Sequence, residues 1–221
     1  MRIAVVAGPA AGHIFPAAAL AQGLLRRGHD VLVLTGELWP APVARGGVPA
    51  QCLPILRHDG RDDTFGFRIY GRGAQSAPGT AELIEAFGAE AVVVDTLTVG
   101  GAYAAGLLSL PWIELIPHPL QDVCADVSSP GTSLAPGRGP LGRGARQHAA
   151  QAAPAGHRQD DARAVGCAPV IGLPDEGPPV GRLVATLPGL EIARADWPAR
   201  TAVVGPLEWD PADCAAVAAT R

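Results

Sequence analysis

The chain has 221 residues, 48% of them hydrophobic, and a formal net charge of -4 at pH 7. That is apolar material enough for one large α/β domain or two small ones, and the acidic balance leaves no electrostatic footprint for nucleic acid. Cys52, Cys124, Cys167 and Cys214 are scattered, with no CxxC pair and no zinc-ligand spacing, which speaks against a disulfide framework or a bound metal and fits a reducing cytoplasm.

In chain order, residues 3–7 are an apolar run of strand length, followed by Gly8-Pro9-Ala10-Ala11-Gly12-His13. Residues 17–27 are rich in Ala and Leu and close with Arg26-Arg27-Gly28, the basic last turn and glycine stop of a helix. A second strand is expected over 30–35, so strand, glycine loop, helix and strand make a parallel βαβ unit. A short helix over 38–45 leads to a third strand over 50–55. Residues 57–78 lose periodicity and carry Phe65, Phe67 and Tyr70; so long a loop in an α/β domain is expected to be functional or disordered. A helix over 80–87 precedes a buried strand over 91–94 that ends at Asp95, then a helix over 99–108 and a strand over 112–116 that leaves through Pro117-His118-Pro119.

Residues 121–144 turn to Ser, Pro and Gly, and residues 145–165 are helical in composition but broken by Pro154 and Gly156. The last strands are expected over 183–186 and 201–204. The expected fold is α/β: a single Rossmann-like domain with a parallel sheet of about seven strands and helices on both faces. Two uncharged stretches imitate membrane signals. Gly8, Pro9, Gly12, His13 and Pro16 interrupt the first, and Gly100, Gly101, Ser109 and Pro111 divide the second, so neither a secretory leader nor a membrane span is expected.

Gly137-Arg138-Gly139-Pro140-Leu141-Gly142 fits GxGxxG, but it follows a Ser/Pro loop instead of a strand, and Pro140 lacks an N–H that a phosphate cradle needs. A dinucleotide oxidoreductase is also disfavoured by the Gly8-x-x-x-Gly12 spacing and by Thr35-Gly36 where the second strand would need an acidic end.

His13 and Asp95 make the stronger pair, because both follow apolar strands at one edge of a parallel sheet. A histidine can take a proton from a hydroxyl near neutral pH, and an adjacent carboxylate fixes its tautomer and stabilises the imidazolium. A helix N-terminus favours the neutral ring, so Asp95 must supply the opposing pull. Position alone leaves another reading open, in which His13 caps or packs and Asp95 caps the next helix. Trp39, Trp197 and Trp209 have no patterning that favours a site over ordinary packing.

Gly12-His13-Ile14-Phe15-Pro16, Arg27-Gly28-His29-Asp30-Val31, Val93-Val94-Asp95, Pro111-Trp112-Ile113-Glu114-Leu115, the 136–143 segment, Leu183-Val184-Ala185-Thr186-Leu187-Pro188 and Val203-Val204-Gly205-Pro206 together resemble GT-B fold glycosyltransferases of the bacterial macrolide and antibiotic group. The resemblance implies that residues 1–206 are an N-terminal acceptor-binding domain and 207–221 an interdomain linker or tail. It implies His13 as general base and Asp95 as its partner. A hydrophobic natural-product acceptor would lie between Ile14, Phe65, Phe67 and His118, and Gly12 with the helix start would face the donor diphosphate. It also implies an inverting transfer with no cofactor beyond a nucleotide-sugar co-substrate, bound mainly by a C-terminal domain or partner chain, without which this chain is expected to be inactive. The other reading is a stand-alone small-molecule-binding or partner module that keeps the fold and performs no transfer. A homo-oligomer is left open. Phe65, Phe67 and Tyr70 are equally consistent with a small apolar cluster beneath their loop.

Overall fold

β-Branched and aliphatic runs set the framework. The computed structural model describes residues 1–53, 67–120, 178–191 and 197–211. Within them β1 (Arg2–Val6), β2 (Asp30–Thr35), β3 (Ala50–Cys52), β4 (Ala91–Asp95), β5 (Trp112–Ile116), β6 (Gly181–Val184) and β7 (Thr201–Val203) form one sheet. All neighbours are parallel, in the order β3-β2-β1-β4-β5-β6-β7. The seven-stranded α/β architecture expected from the sequence is present. The described helices are α1 (Ala11–Arg26), α2 (Pro40–Arg45), α3 (Arg72–Phe87) and α4 (Gly100–Leu107); none is long and apolar enough to cross a membrane.

Alternate residues of the central strands face opposite sides, and both sides are apolar because both are covered. Val5, Val31, Val33 and Val93 pack with Ile14, Ala17 and Ala21 of α1 and with Val43 of α2. Val6, Leu32, Leu34, Val92 and Val94 pack with Ala81 and Ile84 of α3 and with Ala102 and Ala105 of α4. Each of these larger side chains contributes about 1.5–3 kcal/mol by leaving water. Right-handed crossovers explain the division. From β1 to β3 the chain steps one way, with α1 and α2 on one face; from β3 to β5 it steps back, with α3 and α4 on the other. The reversal falls between β1 and β4, and such a switch point opens a crevice at the carboxyl ends of the two strands.

Three boundaries correct the sequence expectation. α1 begins at Ala11 instead of residue 17, with Pro16 in its sixth position; there the missing N–H forfeits only a bond to the carbonyl of the exposed Gly12. Residues 67–78, expected to be loop, are a π-helical turn (Phe67–Gly71) and the first half of α3. Pro78 lies inside α3, where Ser76 Oγ donates to the Gly73 carbonyl and Thr80 Oγ1 to that of Ser76. β6 starts two residues earlier than expected, because its register against β5 pairs Gly181 with Ile113. Phe65, the 137–142 glycine run, the loop over 121–144 and the helix over 145–165 lie outside the described residues.

Small residues let α3 and α4 touch through their backbones, and tertiary contact of this kind overrides the Gly/Pro punctuation read from the sequence. A Cβ on Gly100 would run into Ser76 Oγ and lie 2.8 Å from the Gly73 carbonyl oxygen, and one on Gly101 would lie 2.9 Å from Val6 Cβ. Gly100→Ala is therefore expected to destabilise the fold by about 1–3 kcal/mol, because backbone cannot yield as a side chain can. Urea unfolding of the two chains checks this, and an unchanged midpoint would contradict the close crossing.

After β7 the chain turns back to the α1 side. Leu207 packs against the core there, and Trp209, only 7% exposed, belongs to it.

Candidate active site

β1 and β4 lie side by side with Val6 paired to Val94, so the residues just beyond the two strands meet at one point. Beyond β1 a short turn leads into α1, whose third residue is His13; β4 ends on Asp95. His13 Nδ1 is 2.7 Å from Asp95 Oδ1, across 82 positions of sequence. The Asp95 side chain is fully buried, whereas that of His13 keeps 19% exposure.

A buried carboxylate needs donors to offset its lost hydration. Asp95 Oδ2 accepts the Leu97 N–H at 3.2 Å and the Thr98 hydroxyl at 2.9 Å, and the same turn is closed by the Thr98 N–H on the Asp95 carbonyl. One oxygen is thus held by the turn ahead of α4 while the other faces the imidazole. Both roles left open by the sequence are filled by the one residue: Asp95 stabilises the turn ahead of the next helix and pairs with His13. With Nδ1 donating to the carboxylate, Nε2 carries the lone pair. The hydrogen bond to Asp95 raises the His13 pKa above its ordinary 6.5; burial lowers it by a smaller amount, and the charge of Asp95 adds to the rise.

Thr98 was not found by sequence reasoning. Its signal was the spacing Asp95-x-x-Thr98, in which an acceptor is followed three positions later by a hydroxyl donor. Gly8 has a related role. A Cβ there would lie 3.1 Å from Thr98 Oγ1 and 3.8 Å from Asp95 Oδ2, so a side chain at this point of the strand-to-helix turn would press on the hydroxyl that holds the carboxylate.

The start of α1 is uncapped by any side chain. The Ala10 carbonyl accepts the N–H groups of His13 and Ile14, while those of Ala11 and Gly12 precede the first intrahelical acceptor. Both residues are exposed, and a Cβ on Gly12 would meet nothing within 4 Å. A positive helix end with open space before it stands one turn from the imidazole.

The other expected site residues divide. Ile14, expected beside an acceptor, is 0% exposed and packs in the core; its place on α1 turns it toward the sheet, so this expectation is corrected. His118 follows β5, is partly exposed and has its Nδ1 2.9 Å from the Pro119 carbonyl oxygen. Phe67 opens the π-helical turn before α3. Tyr70 packs with Ala74, Ala77, Val99 and Tyr103 in a small cluster between α3 and α4. Among the described residues no three His, Cys, Asp or Glu side chains converge as a metal site requires.

No protein-family model matches the chain. Among curated proteins it is similar to the L-demethylnoviosyl transferase of Streptomyces niveus, with 25% identity over 146 residues that make up 58% of this chain and 38% of that protein. Among solved structures it is similar to the glycosyltransferase of kitacinnamycin, with a TM-score of 0.56 and 18% identity, covering 93% of this chain and 51% of that one. The spinosyn rhamnosyltransferase matches with a TM-score of 0.55 and 22% identity over 90% of this chain and 49% of its own, and that enzyme has been solved with spinosyn aglycone and with thymidine diphosphate. This chain spans about half the length of these structures, and less of the curated relative. The resemblance to GT-B antibiotic glycosyltransferases read from the sequence is met again in the fold.

Proposed function

We propose that this chain is the acceptor-binding half of an inverting glycosyltransferase that moves a sugar from a nucleotide-sugar to a hydroxyl of a hydrophobic small molecule. The observation that carries the proposal is the 2.7 Å His13–Asp95 pair at the switch point of the sheet. His13 Nε2 takes the proton of the acceptor hydroxyl, and Asp95 stabilises the imidazolium that forms. The acceptor oxygen attacks the anomeric carbon from the face opposite the leaving group. As that bond forms, the bond from the anomeric carbon to the diphosphate oxygen breaks, and the nucleoside diphosphate carries the electron pair away. The N–H groups of Ala11 and Gly12 face the diphosphate charge.

The donor would be held mainly by a second domain or partner chain. Exposed apolar side chains just beyond the strand ends support this reading: Leu38 (72%), Leu97 (39%), Leu187 (53%), Leu190 (60%) and Val204 (42%). A row of exposed apolar side chains beyond the carboxyl ends of the strands suits a covering partner there.

The test mixes this chain with a donor-domain preparation from a relative such as the spinosyn rhamnosyltransferase, adds a nucleotide-sugar and a panel of hydrophobic aglycones, and follows glycoside formation. Calorimetry on the chain alone reads aglycone binding in parallel. Binding by the chain together with transfer only in the mixture is the expected result. Binding without transfer in any mixture would favour a non-catalytic binding module, and neither would sink both readings.

A further inference from the structure

The turn that delivers His13 has three carbonyl groups, and each has its own donor. The Ala10 carbonyl is held by α1 itself, through the N–H groups of His13 and Ile14. The Gly8 carbonyl accepts Thr35 Oγ1 at 3.4 Å, and the Pro9 carbonyl accepts the indole N–H of Trp39. Two of the three donors therefore come from the end of β2 and the turn after it.

Trp39 is itself fixed on several sides. Its N–H donates to the Gly36 carbonyl, its carbonyl accepts the Val43 N–H, and Pro40 follows as the first residue of α2. Its ring stands edge-on to Phe15, with centroids 5.3 Å apart at 90°, and Phe15 meets Trp209 in the same manner at 5.2 Å and 71°. Ordinary packing accounts for the rings but not for a donor aimed at the one carbonyl that precedes the helix cap. We infer that Trp39 is a positioning residue: by fixing the Pro9 carbonyl it sets the first turn of α1, and through it holds the His13 imidazole against Asp95.

This geometric role goes beyond sugar transfer and does not depend on it. A buried, carboxylate-bonded imidazole N–H gives its own proton resonance, and backbone exchange reports the order of the turn.

The experiment uses the full chain, isotope-labelled and free of donor and acceptor, in two variants. Trp39→Phe keeps an aromatic ring beside Phe15 and removes the donor; Phe15→Leu removes the edge-on contact and keeps the donor. In Trp39→Phe the His13 and Ile14 amides are expected to exchange about tenfold faster, and the His13 Nδ1–H resonance to broaden or vanish, with little change in the urea midpoint. In Phe15→Leu both signals should stay as in the native chain. Equal effects in the two variants would assign the ordering to packing, and native signals in Trp39→Phe would remove the role of the indole; either overturns the inference. Should Trp39→Phe fail to fold, the inference is judged on pH-dependent exchange of the Trp39 indole N–H in the native chain, which must be protected, whereas free exchange overturns it. In the reconstituted transfer assay, Trp39→Phe is expected to lower kcat about tenfold or more while leaving the aglycone KM little changed. Absent transfer in the native chain would fail the functional reading alone, since the spectroscopic outcomes stand without it.

Discussion

Alanine in place of His13 is expected to reduce transfer by the reconstituted chain about a thousandfold, within the 10²–10⁴ range that a positioned proton acceptor contributes. Among the described residues no other group at the switch point is placed to replace it. Asp95 is fully buried, and without His13 its other oxygen is still held by Leu97 and Thr98 in the turn ahead of α4. The fold should survive, because α1 is held by Ile14, Ala17 and Ala21 in the core and the carboxylate keeps two of its three donors. A loss of about 1–3 kcal/mol from the vacated bond is expected. Aglycone affinity should stay near that of the native chain, since the imidazole acts on the hydroxyl proton and not on the apolar body of the acceptor. Transfer retained within threefold in His13→Ala would end the general-base assignment even if binding were intact.

The sequence displays the sheet openly and the turns around it poorly, for reasons that differ from place to place. Val5-Val6, Val31 to Leu34 and Val92 to Val94 need no partner to be read as strands, because continuous branched and aliphatic runs suit a sheet covered on both faces. Glycine and proline mislead in α1 and α3. Pro16 and Pro78 read locally as breaks, yet each helix is held by long-range contact: α1 by the sheet, α3 by the close approach of Gly73 to Gly100. The His13–Asp95 pair was legible because both residues follow strands, and parallel topology brings strand ends to one edge. Thr98 and Trp39 were not, since their roles depend on where a carboxylate oxygen and a carbonyl point in space. Ile14 was misassigned for the same reason; adjacency to His13 in sequence places it about 100° around the helix, facing the core.

Asp95→Asn separates charge from shape at the same point, and its pH dependence has a determined sign. Asparagine can still accept one bond, but it carries no charge to stabilise the imidazolium, so transfer is expected to fall about a hundredfold or more. In the native chain the bond to Asp95 and its charge hold the His13 pKa above 6.5 against the opposing effect of burial. Because the base must be neutral to act, native activity should rise with pH through a midpoint above 6.5. Asparagine removes the charge, weakens the bond that depended on it and leaves burial, so the acidic limb of the variant must move to lower pH. Stability carries the matching signature. A group whose pKa is raised by folding binds its proton more tightly in the folded state, so its contribution is fully present below the unfolded value and fades as pH rises through the folded one. The stability difference between native chain and variant should therefore be larger near about pH 5.5, below the unfolded value, than near about pH 8.5, as the contribution of His13 fades with rising pH. Urea unfolding of the two chains at both pH values measures it. A difference that is flat across this range, together with an unmoved acidic limb, would mean that the imidazole and the carboxylate titrate as strangers despite their contact.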